Sequence, residues 1–63
     1  MTKNEQVMQW VRDNFDMEHI TIEKTDILPY GHMIKDQEGG HMIAFYDLLY
    51  DRVDYRFPDE GRG

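Results

Sequence analysis

The sequence contains no cysteine and no serine. Disulfide bonds and thiolate metal ligands are therefore excluded, as are the Ser-His-Asp and Cys-His arrangements that create a catalytic nucleophile. A glycine-rich phosphate loop is also absent, because the one Gly-Gly pair, Gly39-Gly40, stands between two β-rich runs. A chain of 63 residues is too short to enclose a catalytic cleft by itself. We therefore expect a protein that is not an enzyme and needs no cofactor.

Basic residues and long apolar runs are scarce as well. Seven lysines and arginines stand against 13 acidic residues, and the net charge of −6 is spread evenly along the chain. Binding to nucleic acid or to an anionic membrane needs clustered basic residues, so neither is expected. No run is long enough to span a bilayer and no leader pattern opens the chain, which predicts a cytoplasmic protein. An acidic inhibitor that mimics nucleic acid and occupies a basic cleft of another protein is an alternative.

A helix is predicted at the N-terminus. Thr2 and Glu5 match a capping box, in which each side chain accepts a hydrogen bond from the backbone amide of the other residue. Behind this box, apolar residues recur at the spacing of one helix face. They are Val7, Trp10, Val11 and Phe15. The helix is expected over about residues 3–14, with Trp10 and Phe15 as anchors in the core.

Four later segments have the composition and alternation of β-strands. They are residues 18–24, 31–36, 41–46 and 52–57. The last of these competes with a helical reading of residues 45–57, but unbroken alternation over residues 51–57 favours a strand. Residues 58–63 are expected to form a frayed tail. The predicted fold class is α+β, a single small domain with an N-terminal helix packed on a three- to four-stranded antiparallel β-meander.

The central hairpin decides which side chains face the core. Gly39 or Gly40 supplies the left-handed backbone of its turn, and we predict a register in which Asp36 faces His41. One face then carries His32, Ile34, Ile43 and Phe45. The opposite face carries Met33, Lys35, Met42 and Ala44. We predict that the first face is the core, because it stacks β-branched and aromatic residues across the strands. The register should be well held, because a slip of one residue would send Ile43 and Phe45 to solvent.

Histidine offers a weak metal-binding hypothesis. The candidate ligands are His19, His32, His41 and Asp36. A structural metal would suit a small domain that lacks disulfides, and zinc accepts nitrogen and oxygen ligands. The spacing matches no recognised ligand pattern, however, and the predicted register separates His32 from His41 along the hairpin. A His-based metal-binding domain is therefore an alternative only, and no metal site is expected.

The expected function is protein–protein interaction. One helix can cover only one face of the sheet, so the opposite face would show water an apolar surface rich in methionine and tyrosine. The predicted interface residues are Tyr30, Met33, Met42, Ala44 and Tyr46. Such a patch on a small protein often marks a binding site. We expect an accessory or regulatory domain that forms a homo-oligomer, most simply a dimer, or binds another protein.

Overall fold

A computed structural model describes residues 1–57 of the chain. Its elements are the helix α1 (Lys3–Asn14), a 3-10 turn (Met17–His19) and the strands β1 (Ile20–Lys24), β2 (His32–Asp36), β3 (His41–Asp47) and β4 (Arg52–Arg56). The strands form one antiparallel sheet in the order β1-β2-β3-β4. The predicted α+β class with a β-meander is therefore confirmed. Within residues 1–57, no helix is long and apolar enough to cross a membrane. The tail predicted for residues 58–63 lies outside the described residues.

Helix α1 forms where its local signals predict it. The amide of Thr2 donates to Oε1 of Glu5 at 2.8 Å, and the amide of Glu5 donates to Oγ1 of Thr2 at 3.1 Å, which completes the capping box. At the other end, the extended backbone of Phe15 stops the helix. Val7 and Val11 are fully buried against the sheet. Burying a side chain of this size stabilises the fold by about 1.5–3 kcal/mol.

The register predicted for the central hairpin is wrong by one residue. Lys35 pairs with His41 and Ile34 pairs with Met42, whereas the prediction placed Asp36 opposite His41. Because side chains alternate between the two faces of a strand, this difference turns every side chain of β3 to the face opposite the predicted one. Met42, Ala44 and Tyr46 consequently join the core beneath α1.

The turn chemistry explains the difference in register. One carboxylate oxygen of Asp36 accepts hydrogen bonds from the amide of Glu38 at 2.9 Å and from the amide of Gly40 at 2.8 Å. The amide of Asp36 donates to the carbonyl of Gly40 at 2.9 Å, which closes a loop of three residues. Gly39 takes the left-handed position of this loop with φ of 90°. A three-residue loop with glycine in that position is a common hairpin connection.

The core therefore lies between α1 and one face of the sheet. Its buried members are Val7, Val11, Ile34, Met42, Ala44 and Tyr46. Ile43 and Phe45 point to the other face, which we call the open face because no helix covers it within residues 1–57. The one-residue difference from the predicted register nevertheless does not expose Ile43 and Phe45 to solvent. Only 3% of Ile43 and 5% of Phe45 is accessible to solvent.

The two remaining connections agree with the sequence reading in outline. Strand β4 follows a turn over residues 48–51, so residues 45–57 form a strand, a turn and a strand. Between β1 and β2, a turn over residues 28–31 is closed by a 3.0 Å hydrogen bond from the amide of Gly31 to the carbonyl of Leu28. Strand β1 begins at Ile20 rather than at residue 18, because Asp16 caps a 3-10 turn just before it.

Candidate functional site

A groove opens on the helix side of the sheet, at the end where the central hairpin turns. Helix α1 packs mainly on β3 and β4 and leaves this end of the sheet uncovered. The groove has a volume of about 650 Å³. It is lined by Trp10, Asn14, Phe15, Ile20, Ile34, Asp36, Gly39, Gly40, His41, Met42, Tyr55 and Phe57. These residues come from the helix and from all four strands or their ends, and we call their concave surface the aromatic groove.

Four aromatic rings in contact form the wall of the groove. Trp10 stacks on Tyr55 with ring centroids 5.7 Å apart, and its edge meets Phe15 at 6.0 Å. Phe57 meets Tyr55 edge-on at 5.8 Å. Stacked and edge-to-face pairs at these separations are favourable, so the wall is held in place by its own contacts. The groove is thus largely formed before anything binds to it.

The rim of this wall faces water. Tyr55 is 48% exposed and Phe57 is 47% exposed, whereas the core residues Ile34 and Met42 line the same groove and are buried. The groove therefore leads from solvent down to the hydrophobic core. An apolar side chain placed there would extend that core, and burial of its surface would supply the binding energy.

The polar side chains of the groove lining are Asn14, Asp36, His41 and Tyr55. One oxygen of the Asp36 carboxylate accepts hydrogen bonds from two amides of its own turn, and His41 stands at the start of β3. Among residues 1–57, the lining of the groove contains no lysine or arginine. The groove therefore favours apolar side chains of a partner, and it has no cation to hold a phosphate.

The four candidate metal ligands are not brought together. Nδ1 of His19 lies 2.6 Å from Oδ2 of Asp16, in an exposed pair. His32 is buried under α1, with Nε2 2.8 Å from Oδ1 of Asn4. In the described part of the chain, no three histidine or acidic side chains are placed to share a metal ion.

The predicted interface residues are divided among three parts of the molecule. Met42, Ala44 and Tyr46 are core residues, so their predicted place on an exposed face is wrong. Met33 is half-buried on the open face, where it pairs with Ile43. Tyr30 is exposed beside the end of the sheet, with its ring edge-on to Tyr46 at 6.5 Å. The sequence reading therefore does not locate a continuous surface.

A second exposed apolar feature lies at the opposite end of the sheet from the groove. Residues 48–51 connect β3 to β4, and we call them the leucine turn. Leu48, Leu49 and Tyr50 are all exposed, and Leu49 is 83% accessible. Turns of this kind are usually built from small and polar residues. Three successive large apolar side chains in one turn are therefore a departure that calls for an explanation.

The sequence reading missed the groove because it assigned Trp10 and Phe15 to the core. Both residues pack against the core, as predicted, but they stay half-buried and also form part of the groove wall. A usable signal was present, since Tyr55 and Phe57 alternate on one side of the last strand. Comparison with protein-family models, curated proteins and solved structures finds no match for the chain.

Proposed function

We propose that this chain is a non-catalytic protein–protein interaction domain that associates with further copies of itself through the aromatic groove. The observation that carries the proposal is the continuity of the groove with the core. Ile34 and Met42 belong to the core and also line the groove, while Tyr55 and Phe57 extend the same apolar surface into solvent. Surfaces of this kind mark interaction sites on small proteins.

Self-association fits the size of the chain. A domain of about 60 residues buries only roughly 60% of the surface that its unfolded chain exposes, and such domains often depend on disulfides, metals or partner chains. This chain has no cysteine. A second copy that fills the groove would enlarge the core without a metal ion or a different protein. Its binding would stabilise the folded state by mass action.

The single tryptophan of the chain reports directly on this proposal. Trp10 lies in the groove wall, so its fluorescence senses whether the groove is filled with water or with protein. We expect light scattering to give a mass that rises with protein concentration. We also expect the emission of Trp10 to shift to shorter wavelength over the same concentration range.

A pair of variants with the same change in charge tests the site. Phe57→Lys removes an exposed ring from the groove and places a cation there, and we expect this variant to stay monomeric and folded. Gln9→Lys is the matched control, because Gln9 lies on the outer side of α1 and a lysine there can still contact Asp13. We expect the control to associate like the wild type. A wild-type chain that remains a monomer at high concentration, with unchanged Trp10 emission, would overturn the proposal.

A further inference from the structure

The leucine turn has the properties of a segment that binds in the aromatic groove. We infer that the groove of one copy takes up the leucine turn of another copy, so that the chains associate head to tail. This inference rests on the proposed function and names the part of the second copy that fills the site. It explains the exposure of the aromatic groove and of the leucine turn by a single contact.

The leucine turn is held rigidly in its exposed conformation. One carboxylate oxygen of Asp47 accepts hydrogen bonds from the amides of Leu49 and Tyr50, at 2.9 and 3.1 Å. Asp51 adopts a left-handed backbone with φ of 55°, and its carboxylate accepts a 2.7 Å hydrogen bond from the hydroxyl of Tyr46. That bond raises the pKa of the Tyr46 hydroxyl above its ordinary value. A segment ordered in advance loses little conformational entropy when it binds.

Apolar side chains, rather than charges, match the leucine turn to the aromatic groove. The carboxylates of Asp47 and Asp51 are bonded to groups of the turn and its base, so the turn shows a partner its apolar side chains instead. Arg52 stands at the base of the turn, with its guanidinium carbon 6.0 Å from the centroid of the Tyr50 ring. The groove contributes Asp36 and, within residues 1–57, no cation. Nη2 of Arg52 also lies 3.8 Å from Oδ2 of Asp54, so burial of apolar surface, and not attraction between charges, drives the contact.

The topology requires a second copy. The turn follows the last residue of β3, while the groove is lined by the first two residues of β3. A strand of seven residues separates the two features by about 20 Å, so the turn of one chain cannot enter its own groove. Contact between two different surfaces of identical chains is heterologous, and it produces either a closed ring or an open array.

Complementation between two variants tests the inference. Leu49→Asp damages the turn and leaves the groove intact, whereas Phe57→Lys damages the groove and leaves the turn intact. We expect each variant alone to lose self-association, with the apparent dissociation constant raised roughly 10- to 100-fold by the loss of one large apolar contact. An equimolar mixture should form a species of two chains that grows no further, because it contains one intact groove and one intact turn.

The controls separate this inference from the proposed function. Ile27→Asp removes another exposed apolar residue at the same end of the sheet, and we expect it to associate like the wild type. If Leu49→Asp associates normally while Phe57→Lys does not, the groove still binds a second copy but the leucine turn is not its occupant. If both variants associate normally, the proposed site and this inference both fail. If the wild type is a monomer, self-association fails as a whole.

Discussion

The two faces of the sheet are both apolar along β3, but they are closed to water by different means. On the helix side, Met42 and Ala44 lie beneath α1. On the open face, Ile43 and Phe45 are equally buried, although no helix covers them within residues 1–57. The comparison shows that the absence of a covering helix does not make a sheet face available for binding.

Long side chains on neighbouring strands provide the cover on the open face. Ile43 pairs with Met33 on one side and with Arg56 on the other. The guanidinium carbon of Arg56 lies 5.8 Å from the centroid of the Phe45 ring. The stems of such side chains exclude water from apolar surface while their charged ends stay hydrated. The helix side lacks this protection at the aromatic groove, so the accessible apolar surface lies on the side that the helix only partly covers.

The largest expected effect comes from placing a charge under the helix. Met42→Asp would bury a carboxylate without a partner, at a cost of several kcal/mol. A domain of 63 residues has a total stability of roughly 3–9 kcal/mol. We therefore expect this variant to be unfolded in circular dichroism at room temperature.

Met33→Asp is the matched substitution on the open face. Its carboxylate would stay in contact with water, because Met33 is only half-buried, and we expect a folded protein with a cooperative thermal transition. The like charge of Glu23, its register partner on β1, adds a small destabilisation. Loss of the fold in both variants would show that a carboxylate at Met33 is as cut off from water as one at Met42, which contradicts a cover on the open face made of long side chains with hydrated ends.

Local signals were sufficient to predict most of the elements. The capping box of Thr2 and Glu5 needs only neighbouring residues, and it specifies where α1 begins. The alternation of residues 51–57 likewise distinguished a strand from a helix. These features could be predicted because the interactions that decide them lie within a few positions along the chain.

Register and burial could not be predicted in the same way. The hairpin register depends on whether Asp36 bonds to the turn amides, a choice between loops that differ by one residue. That single residue determines whether Met42 or Ile43 faces the helix. The groove depends in addition on where α1 lies across the sheet, so the position of Trp10 follows from tertiary packing that the local pattern does not contain.

A smaller effect on the helix side is expected from pH. His32 is buried beneath α1, and Nε2 donates to Oδ1 of Asn4. Desolvation of the imidazole, with a smaller contribution from the charge of Lys24, lowers the pKa of His32 below its ordinary value of 6.5. The unfolded chain therefore binds this proton at higher pH than the folded chain does. The stability contribution is complete above pH 6.5 and is lost as the pH falls through the lowered pKa.

Urea unfolding at a series of pH values measures this contribution. His32→Gln keeps a donor for Asn4 but does not titrate, so the difference in unfolding free energy between the wild type and this variant isolates His32. As the pH falls below 6.5, we expect the unfolding free energy of the wild type to decrease relative to that of the variant. A difference that is independent of pH would show that packing beneath the helix does not hinder protonation of His32.

The smallest expected effect concerns the cover on the open face. Arg56→Ala removes the cation above Phe45, and a cation–π contact that is partly exposed contributes about 0.5–1 kcal/mol. Phe45→Ala tests the ring, and the double variant completes a thermodynamic cycle in which the coupling energy is the measured quantity. We expect a coupling of about 0.5–1 kcal/mol from urea unfolding.

Arg52→Ala with Phe45→Ala is the control cycle, because the Arg52 guanidinium lies beside Tyr50 instead, and its coupling should be near zero. Equal coupling in the two cycles would mean that Arg56 does not cover Phe45, and the low exposure of the ring would then have to arise from the backbone and the remaining side chains around it.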